Sequence, residues 1–200
     1  MDSSSEFHAS SEFQDSLPTS SDALLSQLTA WDLPFSYHEH APLRTVDQSK
    51  QVRAGFLSAE EGGGHIKNLF LRDKKKQNYL VVLQEDAAID LKQLADILGA
   101  GRLSFGSADR LLEHLGVRPG AVTPLSMING CHHGVTLYLD KSIMQCQMIY
   151  MHPLVNDRTI GMTPDAVKRF LKNVGCVGKI TNFNETSDGT NAYSKIIFMR

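Results

Sequence analysis

Long apolar runs are missing from this sequence. No stretch approaches the roughly 18 consecutive apolar residues of a membrane helix, so no membrane-spanning helix and no membrane partner are expected. An excess of either charge is missing as well: 20 Lys and Arg stand against 22 Asp and Glu, a formal net charge of −2. Non-specific affinity for a polyanion rests on neutralising many phosphates. A DNA-coating protein is therefore excluded, and any nucleic acid partner would have to be held by local contacts. Cysteine is sparse. Cys131, Cys146 and Cys176 are odd in number and widely spaced, which argues against a disulfide framework and for reduced thiols. The residues from Met1 to Glu6 have neither the basic nor the apolar region of a secretory signal, and a cytoplasmic protein is expected.

Signatures of the common catalytic classes are absent too. Cys131, His132, His133 and Cys146 lie close in sequence, but adjacent histidines point to opposite sides of an extended chain. No Cys-x-x-Cys or His-Glu-x-x-His spacing accompanies them, so neither a metal site nor any other cofactor is expected. There is no Gly-x-Ser-x-Gly elbow, and Cys131 sits in a turn region without a defined base, so a protein nucleophile is not supported.

What is present is a 200-residue chain with 42% apolar residues, enough for one domain with a sizeable core. Residues 1–19 are rich in Ser, Asp and Glu and read as a disordered tail; the domain is expected over 20–184, and 185–200 form a tail of uncertain structure. Within the domain, helical spacing predicts a helix over 21–31, followed by a short strand over 35–40 and a helix over 47–59. Two apolar runs, 67–71 and 78–83, flank a charged turn and predict a hairpin. Asp90 and Ser107 cap helices that end at Gly99 and Gly116, with a short strand over 101–106 between them. Residues 125–129 and 135–140 read as paired strands joined by 130–134. Strands are also expected at 148–151, 159–162 and 180–183, and Thr163-Pro164 starts a helix. Strands and helices mix without strict alternation, which predicts an α+β single domain with a mixed sheet.

The stretch from Gly62 to Lys76 organises the chain. Three glycines are followed by Lys67 and Asn68 at the mouth of the apolar run Leu69-Phe70-Leu71. A loop presenting a mobile cation and an amide beside a packed sheet suits an anionic or carbonyl-bearing ligand. On these residues alone, an ordinary Gly-rich turn with solvated lysines accounts for the stretch as well. A Gly-x-x-x-Pro segment, Gly120-Ala121-Val122-Thr123-Pro124, follows the second capped helix, and on its own it is a common turn signature.

The run from His65 to Lys75, with His40-Ala41-Pro42, Thr45-Val46 and the Gly120 to Pro124 segment in the same order, resembles the YbaK/ProX-type aminoacyl-tRNA deacylase family. Those proteins are freestanding relatives of the editing domain of prolyl-tRNA synthetase. The resemblance covers roughly residues 22–180. It departs at Arg44, where the family has an aromatic, and at Gly130, where it commonly has Asp. The resemblance implies a mixed sheet or partly closed barrel surrounded by helices. It also implies hydrolysis of mischarged tRNA(Pro), alanyl-tRNA(Pro) first, to free amino acid and tRNA. The alternatives are a cysteinyl-tRNA(Pro) deacylase, a non-catalytic tRNA- or synthetase-binding module, and a hydrolase of small esters using the same pocket. The implied partners are the acceptor end of tRNA(Pro) and prolyl-tRNA synthetase. Carried onto this sequence, Lys67 contacts the terminal adenosine phosphate or ribose, Asn68 orients the ester, and His152 shapes or polarises the site. Thr45, the loop Gly120, Ala121, Val122, Thr123 and Pro124, and Ile128 bind substrate, with Leu69, Met127 and Ile128 lining a small cavity. The ester is already activated, so its hydrolysis needs a positioned water or the vicinal ribose hydroxyl, charge stabilisation at the carbonyl and a selective pocket, and does not require a protein nucleophile.

Overall fold

The computed structural model describes residues 9–42, 55–88 and 90–183. Expectations on Thr45, on most of the 47–59 segment and on 185–200 lie outside the described residues; residues 55–59 themselves contain no α-helix.

Local signals set most elements. Helix α1 (Ser21–Ala30) starts where Ser20 accepts a hydrogen bond from Ala23 N, and it buries Leu24 and Leu28 completely. Strand β1 is Ser36–Glu39, β2 Gly63–Arg72 and β3 Asn78–Gln84. Asp90 caps α2 (Leu91–Leu98), which ends at Gly99 with φ +63°. Strand β4 (Ser104–Phe105) leads into α3 (Ala108–Leu115), capped by Ser107 and closed by Gly116. Then come α4 (Met127–Gly130), β5 (Thr136–Asp140), β6 (Met148–Met151), β7 (Arg158–Met162), α5 (Pro164–Asn173) and β8 (Lys179–Thr181).

The strands form one eight-stranded mixed sheet in the order β1-β7-β6-β2-β3-β5-β8, with β4 on β2. The expected hairpin is β2-β3, in register from Ile66↔Gln84 to Arg72↔Asn78. Its turn is built by Asp73, whose carboxylate accepts from Gln77 N at 2.9 Å and from the Tyr79 hydroxyl at 3.3 Å, leaving Lys74, Lys75 and Lys76 exposed. Among the described residues β1 and β8 end the sheet without meeting, so it is an open mixed sheet rather than a barrel. Apolar layers cover both faces. Phe70, Leu80, Val82 and Leu137 pack with α1, α3 and α5, while Leu69, Leu71, Val81 and Leu83 pack with Leu94 and Leu98 of α2.

Four local expectations change. Residues 125–129 are not a strand: Pro124–Ser126 is a 3-10 turn running into α4. Thr123 Oγ1 accepts from Leu125 N, and Ser126 Oγ donates to Thr123 O at 2.6 Å, so local side-chain bonds close the backbone on itself. Strand β5 pairs instead with β3 and β8, parallel to both. Gly63 and Gly64 lie within β2 rather than in a loop, and only Gly62 has a positive φ, +90°. Leu69 cannot share a cavity with Met127 and Ile128, because the two-residue period of β2 turns it to the opposite core layer. Residues 9–19, expected in the tail, include a 3-10 turn at Ser11–Ser16 that is pinned by polar contacts: Ser11 donates from both N and Oγ to Asp157 Oδ2, and Ala9 is buried.

Candidate active site

The site grows from a gap in the sheet. Strand β2 pairs with β6 only from Gly63↔Met148 to His65↔Tyr150, and with β4 only at Leu71 and Arg72. Between those registers this edge of β2 has no strand partner among the described residues. A cleft opens there, lined by Ile66 and Asn68 of β2, Tyr150 and Met151 of β6, His152 just beyond it, Thr159 of β7, and by Phe56 and His65.

Asn68 joins the cleft to the Gly-x-x-x-Pro loop. Its Nδ2 donates to Val122 O at 2.8 Å, and Oδ1 is shielded from solvent without a protein partner. Gly120 is exposed with φ +90°, whereas Ala121, Thr123 and Pro124 are buried beneath it. His152 donates from Nδ1 to Arg158 O at 2.8 Å, since a carbonyl can only accept. Burial pushes its pKa below the ordinary histidine value, more strongly than the Arg158 carbonyl raises it, so the ring is neutral and Nε2 keeps its lone pair. The His40 ring lies 6.0 Å from it. His40 donates from Nδ1 to Ala41 O at 2.9 Å, and its Nε2 lies 2.8 Å from the Thr159 hydroxyl.

An aromatic wall closes the other side. Phe56 stacks on Tyr150 with centroids 4.4 Å apart, and His65 lies near-parallel to Tyr150 at 5.3 Å. Leu57 fixes this wall from behind: its N–H donates to the Tyr150 hydroxyl at 2.8 Å, and its carbonyl accepts from His65 Nε2 at 3.0 Å.

Of the residues singled out in the sequence, the structure brings together Asn68, His152 and the loop around Val122. Lys67 is set apart from them. One position along β2 from Asn68, it points to the other face and donates from Nζ to Ala87 O; desolvation lowers its pKa, and Asp86 and Glu85 oppose the shift. Ile128 is partly buried against the first core layer and does not line the cleft. Sequence reasoning missed Phe56, His65, Tyr150 and Thr159. His40 had a signal in its His-x-Pro context, but Thr159, next to Arg158 at the start of β7, becomes visible only through strand pairing. Among the described residues no group of His, Cys, Asp and Glu is arranged to hold a metal, and no helix is long and apolar enough to cross a membrane.

Comparison with known proteins places these features. Residues 40–170 match the model of the aminoacyl-tRNA editing domain. The chain is 32% identical over 154 residues to the prolyl-tRNA editing protein ProX of Acetoanaerobium sticklandii, covering 76% of this chain and 91% of that one. It is 40% identical over 129 residues to prolyl-tRNA synthetase associated domain-containing protein 1 of Bos taurus, covering 62% and 74%. Among solved structures, a candidate trans-editing enzyme for prolyl tRNA synthetase superposes with a TM-score of 0.57 at 18% identity, over 80% of this chain and 92% of that one. The fold is thus shared where the sequence has diverged.

Proposed function

The chain belongs to the aminoacyl-tRNA editing domain family, and from that membership we propose that it is a trans-editing deacylase of mischarged tRNA(Pro), hydrolysing alanyl-tRNA(Pro) to alanine and free tRNA. The observation that carries this reading is the meeting of Asn68, His152 and the Val122 loop around one cleft, at the unpaired edge of β2. Hydrolysis of the ester needs attack on the carbonyl carbon by a water, which the vicinal ribose hydroxyl can help to position. The acyl-oxygen bond breaks, and the ribose oxygen leaves with a proton. The protein's part is to orient the ester and exclude wrong acyl groups. Asn68 and the loop backbone hold the acyl end. Lys67, on the other face of β2, is the positioning cation for the terminal phosphate or ribose, and to reach it the ammonium leaves Ala87 O. The partners of this reading are the acceptor end of tRNA(Pro) and, beyond it, prolyl-tRNA synthetase.

Specificity among small acyl groups follows from cleft volume. One methylene in an apolar pocket is worth only about 1–3 kcal/mol. Alanine and cysteine therefore have to be compared directly. The test is release of labelled amino acid from alanyl-, cysteinyl-, seryl- and prolyl-tRNA(Pro) in parallel, with Lys67→Ala as control. Fastest release of alanine, cut by about 100-fold in Lys67→Ala, is the expected result. Faster release of cysteine would move the substrate and keep the chemistry, whereas binding of tRNA without turnover of any ester would mean a binding module.

A further inference from the structure

The connection between β6 and β7, residues 152–157, carries a strained residue. At Leu154 the backbone turns to φ +68°, a left-handed conformation that a bulky side chain keeps only when its surroundings enforce it. Leu154 is buried in the first core layer and cannot relax outward. Much of the support comes from far away in the sequence. Asn156 N donates to Ala9 O at 2.9 Å, Asp157 Oδ2 accepts from Ser11 N at 2.9 Å and Ser11 Oγ at 2.6 Å, and Arg158 Nη1 donates to Asp22 Oδ1. Three consecutive residues are thus each tied to the segment 9–22. That segment is closed on itself, because Gln14 Nε2 donates to Asp22 Oδ2 at 2.8 Å and Asp22 N donates to Gln14 Oε1 at 2.9 Å. Its middle reaches a different part of the fold: Arg118 Nη2 donates to Ser16 Oγ at 3.0 Å, and Thr19 Oγ1 donates to Asn129 Oδ1 at 2.9 Å. Arg118 O in turn accepts from Ala121 N at 3.1 Å, next to the residue that holds Asn68.

We propose that residues 9–22, which lie outside the 40–170 segment matching the editing domain, are a positioning strap: by holding 156–158 they fix the Arg158 carbonyl that takes the Nδ1 hydrogen of His152. The inference rests on the deacylase reading and deepens it, since Ser11 and Asp22 then act on the reaction through Asp157 and Arg158 without touching substrate. Asp157 O also accepts from His40 N at 3.0 Å, so the same strap fixes the backbone of the second histidine. Global stability is not its main yield. The Asp22 side chain is 64% exposed, and an ion pair so open to water contributes little to the folding equilibrium. Placement is more sensitive than stability, because a shift of about 1 Å in a group at the site is enough to cost about 100-fold in rate. Weak bonds from a distant segment therefore matter most where they set the direction of one ring.

The experiment uses the full chain carrying Ser11→Ala together with Asp22→Ala. Asp22→Glu, whose longer carboxylate still reaches Arg158, is the conservative variant. Ring-nitrogen NMR shifts of His152 report which nitrogen carries the hydrogen and need no substrate; steady-state kinetics on alanyl-tRNA(Pro) and melting temperatures run alongside. The wild type is expected to hold the hydrogen on Nδ1. The double variant should mix the two tautomers, lower kcat by about tenfold or more with KM within about twofold, and melt at most about 2–4 °C lower. Asp22→Glu should keep the wild-type shifts and kcat. Asp22→Ala alone, a change at an exposed side chain, should move the shifts in the same direction and decides the matter if the double variant does not fold. An unmoved His152 ring overturns the strap whether or not kcat falls, and so does a moved ring with kcat unaltered in a protein that turns over the ester. A moved ring in a protein whose wild type hydrolyses no aminoacyl ester upholds the strap as what places His152 and overturns the deacylase reading.

Discussion

The amide of Asn68 is divided between the fold and the cleft: its nitrogen ties β2 to Val122, and its oxygen is left without a protein partner. His152 is divided in the same way, between Arg158 O and the cleft. Its pKa lies below the ordinary 6.5 because the charged ring is desolvated. An unfolded chain therefore takes up a proton at His152 before the folded one does. The stabilisation is fully present above about pH 6.5 and falls away as pH drops from there through the depressed folded value. Urea unfolding of the wild type and of His152→Gln between pH 7.5 and 5 checks this: the wild type is expected to lose stability more steeply on acidification. Parallel pH profiles would remove His152 from the account. The sequence shows Asn68 as polar beside an apolar run, but it does not show which end of the amide is left over, because Val122 lies 54 residues away.

At the scale of elements, the glycines before β2 matter for close approach. A Cβ on Gly63 would lie 2.0 Å from Leu57 O, and the Gly63 N–H donates to Ser58 O at 2.7 Å. The Leu57 that this contact holds is also the anchor of Tyr150 and His65, so the glycine sets the position of the aromatic wall. Gly63→Ala is expected to cost about 1–3 kcal/mol, as overpacking of a tight site does, and to raise KM for the aminoacyl-tRNA, read from urea midpoints and steady-state kinetics. An unchanged midpoint would mean that the 55–62 segment shifts freely and does not hold the wall. Capped helices were legible because their signals are local: Asp90 with Gly99, Ser107 with Gly116, and Thr163 with Pro164 all stand where the chain turns. Residues 125–129 were misread because a short apolar run fits either period. The deciding bonds, from Leu125 N to Thr123 Oγ1 and from Ser126 Oγ to Thr123 O, belong to the turn before it.

For the whole molecule, near-balanced charge and the location of the site together limit how tRNA is held. With a net charge of −2, the protein has no broad field to condense a polyanion. Binding of tRNA should then rest on a few phosphates near the acceptor end. The logarithm of affinity against the logarithm of salt concentration is expected to fall with a slope shallower than about −3. A much steeper slope would mean that an extended basic surface, with Lys74, Lys75 and Lys76 the obvious members, tracks the stem.

The sequence by itself determined the local events: the capped helices, the β2-β3 hairpin with its charged turn, the alternation that splits β2 between two core layers, and the motif order that carries the family resemblance. These depend on residues within a few positions of one another, where spacing and propensity act directly. Tertiary structure alone decided that β6 leaves β2 after three paired residues, and that His40, His152 and Thr159 gather at the resulting gap. It alone gave the Lys67 ammonium its partner, Ala87 O, 20 positions along the chain. Those outcomes depend on contacts between residues far apart in the chain, such as His40 with Thr159, 119 positions apart, and no local pattern encodes which distant partner a polar group will find.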